Sequence, residues 1–198
     1  DPLGDVYVMD RGNMNIQRFN PDGSFKLSWP ILFPGESPAF FAEGFGIGLD
    51  PIHGRVLVGD TFNARLRVFT STGSFLFQIG RLIAPNQALT PKDIVTDSLG
   101  NIYVSDNRRH QVLKFDMDGN FLVSWGSFGA GAGQFQDGPE SLAIDAQGNI
   151  YAADSGRGRV LKFTGAGTFL MEFGDQGIAF DSHLDVDFYG NVYVTRHL

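Results

Sequence analysis

The chain is 198 residues long, 42% apolar and 13% aromatic, which is enough to bury a substantial core, and it carries a formal charge of −7 and no cysteine. The acidic balance argues against a general nucleic-acid binder, which needs a basic field to neutralise phosphates. Without cysteine there are no disulfides and no thiolate nucleophile, and no stretch approaches the length of a membrane-spanning helix.

A glycine followed by a strand-like segment ending in Asp opens the chain and then returns. The copies run Gly4 to Asp10, Gly54 to Asp60, Gly100 to Asp106 and Gly148 to Asp154, with a further one from Gly190 to Arg196. A period of about 45 residues, filled by strand-like segments between turns, predicts propeller blades of four antiparallel strands. No window holds an apolar helical period for two turns, so a helical solenoid is excluded.

Each unit is expected to start with a short apolar inner strand: Gly46 to Asp50, Asp93 to Asp97, Ser141 to Asp145 and Leu184 to Asp187. Such a strand suits a position covered on both faces. Asp-x-x-Gly turns or a longer relative lead into the second strand, because Asp bonds the backbone two residues on and Gly tolerates positive φ. Third strands are predicted at Ile16 to Phe19, Leu66 to Phe69, Val112 to Phe115 and Val160 to Phe163. Outer strands follow at Phe25 to Trp29, Phe75 to Ile79, Phe121 to Trp125 and Phe169 to Phe173. The hairpin tips between them are Asp22-Gly23, Thr72-Gly73, Asp118-Gly119 and Ala166-Gly167. The Phe residues that close the third strands and open the outer ones are expected to fill the wedge-shaped gaps between blades.

Together these residues resemble the NHL-repeat family, whose blade reads roughly Gly-Asn-Ile-Tyr-Val-x-Asp, a short polar loop, an Arg-Val-x-x-Phe strand, Asp-Gly, and an outer strand ending in Phe/Trp-Gly. The fullest copy runs from Gly100 to Asp106 through Val112 to Phe115, Asp118-Gly119 and Trp125-Gly126, and the Gly-rich linker Gly129 to Phe135 fits the same family. The loop that gives the family its name departs in every copy: Asn13-Met14-Asn15, Asn63-Ala64-Arg65, Arg109-His110-Gln111 and Arg157-Gly158-Arg159. The resemblance implies an all-β propeller of four-stranded antiparallel blades, about four to five of them here, forming a segment of a ring of about six. It also implies a secreted or periplasmic setting.

One domain over 1–198 is expected, with repeats at about 4–45, 46–91, 92–139 and 140–182 and a partial one at 183–198. The count is three strands in the first period, four in each of the next three and two at the end. Both ends supply a second strand, so the chain reads as part of a larger protein or as one that completes its ring with another copy.

Loops joining second to third strands share a face with the connections between blades. They hold Arg11, Arg65, Arg108, Arg109, Arg157, Arg159 and Arg196, while the turn aspartates Asp22, Asp50, Asp97, Asp118, Asp145 and Asp187 fall on the opposite rim. Arg11, Arg65, Arg108, Arg109, Arg157 and Arg159, with His110, are the candidate partner contacts, suited to the carboxylates of a protein or peptide. Asp60 with Arg65 and Asp154 with Arg159 are also placed to pair across their own loops. The connection from Pro30 to Glu43 adds Phe40 and Phe41, either as caps on the core or as exposed anchors.

Catalytic motifs are sparse. There is no Gly-x-Ser-x-Gly elbow and no phosphate loop. Some relatives of the repeat resemble metal-dependent lyases with axial histidines, and His183 with Asp185 are the weak candidate ligands here, short of the three that catalytic zinc needs. Glu140, Asp185 and Asp187 offer oxygen ligands for a hard cation such as calcium, and no other cofactor is expected. The resulting reading is a non-catalytic scaffold that binds a protein or peptide. An axial metal-dependent lyase and an RNA or polyanion binder acting through the Arg-bearing rim are the alternatives.

Overall fold

A computed structural model describes residues 1–33, 35–36, 46–61, 63–80, 82–84, 87–174 and 183–195. The first sheet holds β1 (Val6–Asp10), β2 (Asn15–Phe19) and β3 (Phe25–Pro30). A four-stranded sheet follows: β4 (Ile47–Asp50), β5 (Arg55–Asp60), β6 (Arg65–Thr70) and β7 (Phe75–Ile79). A small hairpin, β8 (Leu82–Ala84) and β9 (Gln87–Ala88), lies in the next connection, where only a loop was expected. The third sheet is β10 (Pro91–Thr96), β11 (Ile102–Asp106), β12 (Gln111–Phe115) and β13 (Phe121–Trp125). The fourth is β14 (Pro139–Ile144), β15 (Ile150–Asp154), β16 (Arg159–Phe163) and β17 (Phe169–Phe173), and β18 (Leu184–Val186) pairs with β19 (Val192–Val194). Every pairing is antiparallel between strands consecutive in sequence, so the expected four-stranded blades are present.

The apolar face of each sheet is buried against its neighbour. Ile16, Trp29 and Ile31 pack with Val56, Val58 and Phe69 between the first and second sheets. Leu57, Leu66 and Val68 meet Ile94, Ile102, Leu113 and Phe115 between the second and third, and Tyr103, Val112, Trp125 and Phe135 meet Leu142, Ile150 and Phe163 in the next gap. Each wholly buried Leu or Phe in these gaps contributes about 1.5–3 kcal/mol.

The Phe pattern is only half as expected. Phe69, Phe115 and Phe163 are buried, but Phe25, Phe75 and Phe121 are 60%, 39% and 48% exposed. A register shift just before the third-strand Phe turns the outer-strand Phe towards the rim. There it covers its partner edge-on, with ring centroids 5.8 Å apart in the Phe115–Phe121 pair.

Polar latches join the sheets. A cation of one sheet donates to the hairpin carbonyl of the next: Arg18 Nη1 to Ser71 at 3.0 Å, Arg55 Nη1 to Met117, and Lys114 Nζ to Gly165 at 3.0 Å. The hairpin glycines beside these carbonyls have φ near +88° at Gly73 and +89° at Gly167. A Cβ would stand 2.6 Å from the Trp29 ring at Gly73 and 2.7 Å from the Trp125 ring at Gly167. These positions therefore need Gly for backbone sign and for space alike.

Candidate functional site

The second-to-third loops are built on the Asp that ends each second strand. Asp60, Asp106 and Asp154 are fully buried, and a buried carboxylate must be paired. Asp60 accepts from the Asn63 backbone at 3.2 Å and from Arg65 Nε at 2.8 Å. Asp106 accepts from the Arg109 backbone at 3.2 Å, from the Arg109 guanidinium and from the Thr90 hydroxyl. Asp154 accepts from the Gln136 N–H at 2.9 Å and from Arg159 Nε at 3.1 Å. Thr90 and Gln136 belong to the connections between blades, so the Asp ties loop and connection into one surface. Each loop then turns through a left-handed residue: Met14, Ala64, His110 or Gly158, with φ of 53°, 54°, 59° and 60°.

This geometry sorts the arginines. Arg65 is held by Asp60 and, at 2.8 Å, by Glu36. Arg109 is held by Asp106, and Arg159 by Asp154, by Glu172 and by the Gln134 carbonyl at 2.8 Å. The pairings expected for Asp60 with Arg65 and Asp154 with Arg159 are both present. Arg108 and Arg157 differ: each is exposed on a single 3-10 turn, Asn107–Arg109 or Ser155–Arg157, and makes no ion pair among the described residues. Arg11 is exposed at the equivalent loop of the first sheet. Phe40, Phe41, Arg196 and His197 lie outside the described residues.

The connection after β3 carries a clamp that sequence reasoning missed. Ile31 is buried in the core. Arg67, fully buried in β6, donates to the Ile31 carbonyl and to Glu36 at 2.5 Å, and its guanidinium lies 4.6 Å from the centre of the Phe33 ring. Burial alone would raise the Glu36 carboxyl, but Arg67, the Phe33 N–H and Arg65 together lower it to about 2. Arg67 between the apolar Leu66 and Val68 was the available signal.

His110 closes the 3-10 turn Asn107–Arg109 that leads into β12. Its ring meets that of Phe128 edge-on at 5.1 Å, and its Nδ1 is buried with no hydrogen-bond partner among the described residues. Phe128, another residue missed from sequence, is 64% exposed just before the Gly-rich linker. On the inner strands, Asp93 accepts from the Ser141 hydroxyl at 2.7 Å and the Leu142 N–H at 2.8 Å, and burial pushes its carboxyl up. His183 and Asp185 are exposed on β18 and its approach.

Asp187 is taken up by its own turn through the Tyr189 and Asn191 N–H groups and the Tyr193 hydroxyl. Glu140 accepts from Asn107 and pairs with Lys92 at 3.3 Å. The three proposed oxygen ligands thus do not converge. Among the described residues no three His, Asp or Glu side chains are grouped to hold a metal ion.

Residues 89–115 and 137–163, each spanning three successive strands of a blade, match the NHL repeat. The chain carries NHL repeats. None of the curated proteins matches the sequence. Among solved structures the chain is similar to a streptogramin B lyase at 13% identity and a TM-score of 0.69, covering 100% of this chain and 67% of that one. It is also similar to a catalytically inactive histidine-to-alanine variant of virginiamycin B lyase from Staphylococcus aureus with quinupristin, at 14% identity and a TM-score of 0.71, covering 98% and 60%. A third similar structure is a nidogen/laminin complex, at 22% identity and a TM-score of 0.68, covering 98% and 68%. Such identities establish the propeller fold and nothing finer. The chain spans 60% to 68% of those chains.

Proposed function

We propose that residues 1–198 form one NHL propeller domain that serves as a non-catalytic recognition scaffold, presenting its connecting-loop face to a protein or peptide. The observation that carries this reading is the contrast among the loop arginines. Arg65, Arg109 and Arg159 are sealed by buried carboxylates, whereas Arg108 and Arg157 stand exposed without an ion pair among the described residues. Loops held on rigid sheets present such groups with little ordering cost on binding. The nidogen neighbour, solved with laminin, supports the use of this fold in protein recognition.

The lyase neighbours favour an enzyme. That reading needs functional side chains gathered at one place, and here His53 is held by Asp50 at 2.9 Å, His110 packs on Phe128, and His183 stands on the last inner strand's approach. An RNA reading has against it the net charge of −7 and the internal pairing of the other rim arginines.

The test is selection from a random peptide display library on wild-type protein and on R108E/R157E, with matched melting curves for the two. Wild type is expected to enrich a peptide family that the double variant does not. Equal selections on both, or no enrichment on either, would overturn the proposal.

A further inference from the structure

Resting on that reading, we infer that the ligand is an acidic peptide: its carboxylates pair with Arg108 and Arg157, and an apolar side chain beside them covers Phe128. The two 3-10 turns belong to neighbouring sheets and are bridged by one short strip. Gly138 abuts the backbone of Asn107, and Gly156 leaves room for the Asp137 carboxylate. Arg108 and Arg157 therefore flank residues 136–138 from either side, one from each blade. The Asp137 backbone N–H donates to Asp154 at 3.4 Å, while its carboxylate rests against Gly156 and makes no ion pair with Arg157 among the described residues.

The apolar half of the site is the corner that Arg108 shares with His110. The left-handed backbone at His110 (φ 59°) lays the imidazole against the Phe128 ring, which leaves that ring 64% exposed and held from beneath. An exposed aromatic held in place by a neighbouring ring is the kind of anchor that dominates recognition surfaces. Guanidinium groups take carboxylates in bidentate fashion. The chain's net charge of −7 repels an extended polyanion but not a short peptide whose few charges meet two local cations. An acidic peptide with an aromatic or aliphatic residue next to its carboxylates fits both halves.

The experiment is fluorescence polarisation with three labelled probes: a short peptide of alternating Glu and Phe, the same peptide with Gln for Glu, and a short uridine oligonucleotide. The Glu–Phe peptide is expected to bind wild type at least about tenfold more tightly than the Gln–Phe peptide, a difference of about 1.4 kcal/mol. R108E/R157E should abolish binding. F128S should weaken it severalfold without changing the preference for Glu over Gln. Both variants change exposed side chains, and their melting curves serve as the folding control.

Equal binding of the Glu and Gln peptides, or undiminished binding by R108E/R157E, overturns the inference. So does tighter binding of the oligonucleotide with a steep salt dependence, which would point to nucleic acid. If display selection yields ligands that depend on the two arginines yet lack acidic residues, recognition stands and the acidic class falls.

Discussion

Replacing Glu36 by Ala should cost the fold about 3 kcal/mol at neutral pH, because it strands the Arg67 guanidinium. That group is fully buried, and its remaining partners would be the Ile31 carbonyl and the face of Phe33, while its Nε already lacks a hydrogen bond among the described residues. Leaving a buried charge unpaired costs about 3–5 kcal/mol, and the lower end applies because the Glu36 side chain, 28% exposed, gives water a route in.

E36Q retains an oxygen for Arg67 and loses only the charge. The lowering of the Glu36 carboxyl from 4.5 to about 2 would be worth about 3 kcal/mol undiluted, and partial exposure reduces this to about 1–2 kcal/mol. Because the folded-state value lies below the unfolded one, this stability is fully present above about pH 4.5 and fades as pH falls towards 2. Urea unfolding of wild type, E36A and E36Q at several pH values measures both effects. The gap between wild type and E36Q should close over that acid range. A second check is the R67M background, where E36A should cost far less than it does alone. An E36A loss of under about 0.5 kcal/mol at neutral pH, or a gap to E36Q that stays constant down to acid, would refute the clamp.

Gly167→Ala should lose about 2–4 kcal/mol, since a Cβ there meets the Trp125 ring at 2.7 Å as well as an unfavourable φ of +89°. Gly23→Ala, at φ +83° with nothing nearby, should lose only about 1 kcal/mol, and thermal melts of the two variants compare clash with strain directly. Ala64→Gly relieves the left-handed residue at φ 54° and should stabilise the chain by about 0.5–1 kcal/mol in urea titration; a loss instead would show that the loop is not strained there. Tyr103→Phe removes a hydroxyl 3.0 Å from Asp97 and 3.2 Å from the Gly165 carbonyl, and should cost about 1 kcal/mol by the same titration, with Lys114 still latching the next blade.

The blades were readable from the residues because their signals are short-range. Asp97 accepting from the Leu99 and Asn101 N–H groups, Gly100 at φ +78°, and the strand-forming runs of β11 and β12 all involve residues a few positions apart, so local chemistry settles them wherever the chain lies in space. The pairing of Asp60 with Arg65 belongs to the same class, spanning one loop.

What could not be read depends on groups brought together from distant positions. Whether Phe121 is core or rim follows from a register shift against β12 and from which neighbour covers that edge. Arg67 finds Glu36 across a blade connection, and Phe128 finds His110 across the third sheet's outer hairpin. The candidate site divides in the same way. Arg109 and Arg159 are sealed by an Asp three or five residues away in their own loop, a local pairing, whereas the placing of the two 3-10 turns on either side of residues 136–138 depends on how two whole sheets pack, which no single repeat encodes.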